Sequence, residues 1–130
     1  MKFDALIQSG DWKGEKHVPV IECPDEVASG QVFTITVSVG KEIPHPNTTE
    51  HHIKWIKLFF KGEDEKFPFE LGSFEFTAHG EHVGGPNTGP AYSEPCATVK
   101  VKLNKSGTLL AISYCNIHGL WENSKEIKVK

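Results

Sequence analysis

Apolar and polar residues alternate with a period of two over much of this chain. Between Val32 and Val39, Phe33, Ile35, Val37 and Val39 share one face while Thr34, Thr36 and Ser38 share the other. That is the pattern of a strand with one face in a core. Ala97–Leu103 repeats it, with Val99 and Val101 inward and Lys100 and Lys102 outward. Ile127 and Val129 alternate with Lys128 and Lys130 in a closing strand. Val18–Glu22, Ile53–Phe60, Phe74–Ala78 and Leu109–Tyr114 read as strands with weaker alternation. No amphipathic helix of useful length interrupts them.

Gly, Pro and Asn turn signals separate these runs, which number about seven, as an antiparallel sandwich requires. The expected fold is therefore all-β, a seven-stranded immunoglobulin-like antiparallel β-sandwich. Three connections are long: Gly40–Glu50, Lys61–Gly72 and Gly80–Pro95. The last holds Gly80, Gly84, Gly85, Pro86, Gly89, Pro90 and Pro95, and connections of that length usually serve a purpose. With 130 residues and no internal repeat, residues 1–130 are expected to form a single domain.

Composition changes little in this picture. Charged residues make up 24% and the formal net charge is −3, without a long basic stretch. Nucleic acid and anionic membranes are therefore not expected partners. Asp4, Gln8, Asp11 and Lys13 break up the N-terminal region, so no signal sequence is expected. No segment approaches the ~20 apolar residues of a membrane helix, and a cytoplasmic protein is expected. Three cysteines, Cys23, Cys96 and Cys115, argue against a disulfide framework in such a protein. Cys23 and Cys96, beside strand-like runs, are expected to be small buried hydrophobes, with a bridge between them left open.

The chemistry is concentrated in the histidines, of which there are seven. His17 follows Gly14-Glu15-Lys16 before the first strand, and His45 is framed by Pro44 and Pro46. His51 and His52 open a strand, and His118 lies three residues after Cys115. A thiolate and an imidazole at i and i+3 on a turn can reach one metal, with turn N–H groups supporting the sulfur. The same spacing also fits a turn that merely holds a buried cysteine; the proline-framed His45 and the His51/His52 pair favour the metal. Four imidazoles and one thiolate exceed the tetrahedral set of structural zinc. Five protein ligands with a sixth position open suit a redox-active iron. A blue-copper electron carrier is the alternative, because Tyr114–His118 fits its Tyr-Cys-x-x-His turn. Such sites usually add an axial methionine, and the only methionine here is Met1. A structural metal site is a third possibility. Glu15 and Lys16, taken alone, fit an exposed charged loop, and His79 and His82 are expected to be loop or interface residues.

Three segments together are more specific. Gly10-Asp11-Trp12-Lys13-Gly14-Glu15-Lys16-His17-Val18-Pro19, His45-Pro46-Asn47-Thr48-Thr49-Glu50-His51-His52 and Tyr114-Cys115-Asn116-Ile117-His118-Gly119-Leu120-Trp121-Glu122 closely resemble the motifs of superoxide reductases, in family order. The resemblance implies one mononuclear non-haem iron, held equatorially by His17, His45, His51 and His118 with Cys115 as axial thiolate. It implies that Glu15 occupies the sixth position in the oxidised resting state and that Lys16 lies beside the open position. His52 is not a ligand in the family. The four-cysteine iron centre of the larger members has no counterpart here, so the chain looks like the one-iron neelaredoxin type. The implied activity is reduction of superoxide to hydrogen peroxide, with rubredoxin or a similar small iron protein as electron donor and a homotetramer as the assembly. Dismutation is a narrower rival that shares the substrate.

Overall fold

The computed structural model describes residues 1–130. After a short 3-10 turn at Phe3–Ala5 come nine strands: β1 (Ile7–Gln8), β2 (Val20–Glu22), β3 (Glu26–Val27), β4 (Phe33–Ser38), β5 (Ile53–Gly62), β6 (Phe69–Glu75), β7 (Cys96–Val101), β8 (Gly107–Cys115) and β9 (Gly119–Val129). They form two sheets. The larger has the order β1-β9-β8-β5-β6, with β3 also pairing with β9, and the smaller is β2-β4-β7. β1 and β3 run parallel to opposite ends of β9, at Leu120–Trp121 and Lys128–Val129; the remaining pairs are antiparallel.

The inward faces make one core. Phe33, Ile35 and Val37 of the small sheet pack with Ile56, Leu58, Leu109 and Ala111 of the large one. Ile35, Ile56, Leu58 and Leu109 are fully buried, each contributing roughly 1.5–3 kcal/mol by its removal from water.

The differences from expectation have physical causes. β1 and β3 have two residues each, too few to show a period, which accounts for nine strands instead of seven. In β5 the register slips between Ile53 and Trp55, a bulge that moves the buried positions from Ile53 to Ile56, Leu58 and Phe60. The weak alternation of Ile53–Phe60 is this change of face. β6 covers Phe69–Glu75 instead of Phe74–Ala78, so part of the expected Lys61–Gly72 connection is strand. Phe69 is exposed on this edge strand, whose position is set by backbone pairing with β5 and not by burial. β9 begins at Gly119, well before Ile127, as the second arm of a tight hairpin with β8. Its outward residues, Glu122, Ser124, Glu126 and Lys128, are polar, which hides the strand from a hydrophobic pattern. Cys96 is exposed, not buried, because the alternation of β7 turns it outward; Cys23 is half-buried against the core, and all three thiols are free.

Candidate metal centre

Four chain segments converge at one end of the sandwich. The first is the turn before β2. Asp11 organises it, its carbonyl accepting from the N–H groups of Gly14 and Glu15 and its carboxylate from Lys13 N–H. His17 ends the turn, 6% exposed, and its carbonyl accepts from the hydroxyl of the fully buried Ser113 on β8. The second is the loop after β4. Gly40 has φ +91° and a side chain there would meet His45 N at 2.9 Å, so only glycine lets the chain fold back. The third is the turn before β5, where Thr48 N–H donates to the His51 carbonyl and His51 N–H to Thr48 Oγ1. The fourth is the β8–β9 hairpin: Cys115 ends β8, His118 N–H donates to its Sγ at 3.3 Å, and Gly119 opens β9 with φ +81°.

The result is a square of imidazoles. Ring centroids are 4.8 Å apart for His17–His45, His45–His51 and His17–His118, and 5.0 Å for His51–His118. The diagonal His17–His51 is 6.5 Å. The ligand atoms of His17, His45, His51 and Cys115 all lie within 4.8 Å of one another. His118 is outside that tightest set but adjoins it, its Nδ1 3.2 Å from His17 Nε2 and 3.8 Å from Cys115 Sγ. Cys115 is fully buried beside these rings, whereas His118 is exposed.

The nitrogens are prepared for a cation. His45 Nδ1 faces the Pro46 carbonyl oxygen at 2.7 Å, which fixes its proton there and leaves Nε2 as a lone pair. The Nε2 atoms of His45 and His51 are buried without a hydrogen-bond partner. Buried polar atoms are normally satisfied, and a bound metal explains two that are not. Burial, helped by the Lys16, His17 and His51 charges, pushes the His45 pKa down to about 4. Burial likewise lowers that of His51, with His118, His17 and Lys16 adding to it. The His45 and His51 rings are thus neutral donors at neutral pH, as metal binding requires. With four nitrogens, a thiolate and two orphaned lone pairs, the residues present fit a mononuclear iron.

These shifts set a stability prediction. The unfolded His45 takes up its proton near pH 6.5 and the folded one only near 4, so between those values the unfolded chain binds more protons. Metal-free protein should lose stability as pH falls through that window, seen as a lower urea midpoint at pH 5 than at pH 7. An unchanged midpoint would contradict the neutral cluster.

Glu15 lies on the outer side of His17. Its Oε1 accepts from His17 N–H at 3.0 Å and faces His17 Nδ1 at 2.6 Å, outside the convergent ligand set. The bond to His17 holds its carboxyl below the usual carboxylate range, with Lys16 contributing. The position holds His17 Nε2 toward the square, the usual arrangement of a carboxylate behind a metal-bound imidazole. Lys16 is half-buried at the same turn.

Some contributors were not singled out in the sequence. Trp121 stacks on His17, centroids 4.8 Å apart, and its Nε1–H donates to the His118 carbonyl. Asn116 ties two segments together, accepting from His52 N–H and donating to the Glu50 carbonyl. His79 lies in the connection between β6 and β7, as expected of a loop residue, but it is only 3% exposed and its ring stacks on His52 at 3.5 Å. His82 is exposed and its Nδ1 accepts only from Gly84 N–H, within its own loop.

The sequence profile of the desulfoferrodoxin family, described as desulfoferrodoxin, matches residues 9–124. Neelaredoxin from Megalodesulfovibrio gigas is 58% identical over 130 residues, covering 100% of both chains. The superoxide reductase of Pyrococcus furiosus is 62% identical over 117 residues, covering 90% of this chain and 92% of that one. The solved structure of superoxide reductase (neelaredoxin) from Archaeoglobus fulgidus in the reduced form superposes with a TM-score of 0.88 at 57% identity, over 95% of this chain and 98% of that one. A family profile spanning nearly the whole chain and relatives this similar leave one assignment: the chain belongs to the desulfoferrodoxin family.

Proposed function

We propose that this chain is a superoxide reductase, reducing superoxide by one electron to hydrogen peroxide at a mononuclear non-haem iron. The observation that carries the proposal is the square of four imidazoles, two with orphaned buried nitrogens, beside a buried cysteine. His17, His45, His51, His118 and Cys115 would hold the iron. Iron bound there supplies the transferable electron and a position open to a small anion.

The protein's own residues prepare that position. The Cys115 thiolate donates electron density from the buried side, and His118 N–H keeps its sulfur in place. Lys16, whose charge already reaches His45 and His51, attracts the anionic substrate locally although the whole chain is negative. Glu15 holds His17 in its observed position, and in the oxidised resting state its carboxylate would be a further ligand to the iron and offset the added positive charge. Conversion of superoxide to hydrogen peroxide takes one electron and two protons, the protons drawn ultimately from solvent. Rubredoxin or a similar small iron protein is the proposed donor.

Residues 1–130 act as one catalytic domain in this proposal, in a cytoplasmic homotetramer that engages neither nucleic acid nor membrane. No helix is long and apolar enough to cross a membrane.

The test is peroxide stoichiometry after mixing reduced protein with superoxide. A reductase yields one hydrogen peroxide per superoxide consumed, with oxidation of the protein. Half that yield with evolved oxygen is dismutation and would overturn the proposal.

A further inference from the structure

His45 and His51 sit on a connection without regular secondary structure, yet their rings hold two adjacent corners of the square. Between them, residues 47–50 are fastened from outside by the long connection that follows β6. Asn47 Nδ2 donates to the Ser93 carbonyl, and Asn47 Oδ1 faces His79 Nδ1 at 2.7 Å. Thr49 Oγ1 donates to the His79 carbonyl, Thr49 N–H to Asn87 Oδ1, and Asn87 Nδ2 to the Glu50 carboxylate. Asn87 adopts φ 62°, a left-handed conformation that asparagine tolerates better than most residues.

His79 is the centre of this contact. It is almost fully buried, its Nε2 faces the Phe76 carbonyl at 2.7 Å, and its ring stacks on His52, the residue after the ligand. His52 Nδ1 in turn faces the Thr48 carbonyl at 2.8 Å. A chain of packed and hydrogen-bonded groups thus runs from Phe76 through His79 to both sides of the loop. None of these groups reaches the ligand atoms, so their effect is exerted through position.

We infer that His79 is a positioning residue: with Asn47 and Asn87 it makes the Gly80–Pro95 connection a brace that sets the spacing of His45 and His51. The inference rests on the proposed metal site, and it explains why this connection is long. Its loss should not remove a ligand; it should loosen the corner that two ligands form.

His79→Phe tests it, because phenylalanine retains a flat ring against His52 and removes both polar contacts of the ring nitrogens. Leu109→Ala is the control, a fully buried core residue toward the far end of β8 from Cys115. In metal-free protein, amide hydrogen exchange at Thr48, Thr49 and His51 should accelerate in His79→Phe and not in the control. In iron-loaded protein, release to a chelator should quicken by about 10- to 100-fold, the usual effect of losing an outer support of a metal ligand. Asn47→Ala should give a similar acceleration, and the double variant little more, since both sever one path. Unchanged exchange at these amides, or iron release no faster than in the control, would overturn the brace. Failure of the parent protein to bind iron is a separate result that overturns the metal site, and the link to the ligands with it.

Discussion

Replacement of Cys115 by serine should bleach the iron-loaded protein and suppress turnover by more than the roughly 100-fold typical of losing an outer partner of a metal ligand. A serine hydroxyl is not ionised at neutral pH and brings neither the charge nor the electron density of a thiolate. Cys115 is fully buried and is the one sulfur in the cluster, so no neighbour can substitute for it. Serine is nearly the same size, and the fold around Ile53, its partner across β5, should survive. Far-ultraviolet circular dichroism should therefore match the parent while the visible thiolate-to-iron band disappears. A serine variant that stayed coloured and active would refute the assignment of Cys115.

Lys16→Met should slow the second-order reaction with superoxide by about 10-fold or more, the low end of what local charge steering supplies. It should also flatten the dependence of that rate on ionic strength, since salt screens the attraction that has been removed. Lys16 is half-buried beside the square and its charge is felt at both His45 and His51. The rate of re-reduction by an external donor is a useful internal comparison, because it does not involve capture of the small anion. An unchanged second-order rate would remove Lys16 from substrate capture.

The separate parts of the site were legible in the sequence because each has a local signature. Pro44 and Pro46 frame His45, and the spacing of Cys115 and His118 fits one turn. That these parts meet in a square is a tertiary fact, created by the fold-back at Gly40, the bulge after Ile53 and the hairpin closed at Gly119. The alternating strands were equally legible where one face is greasy, as in Phe33–Val37. They were not where a strand is short, on an edge or polar outward, as in β1, β6 and most of β9. His79 shows the limit most clearly. It is a loop residue, as its Gly- and Pro-rich surroundings suggest, but nothing local shows that it is buried and stacks on His52. Glu15 is a related case: its neighbour in sequence is Lys16, but its partner is Nδ1 of His17.

His17, His45, His51, His118 and Cys115 are the proposed ligands of a redox-active iron. The direct measurement is the metal content of protein purified without added metal, taken with its visible spectrum before and after reduction. About one iron per chain is expected, with a colour that bleaches on reduction and returns on exposure to superoxide. A copper ion with an intense blue band, or colourless zinc filling the square, would contradict this assignment.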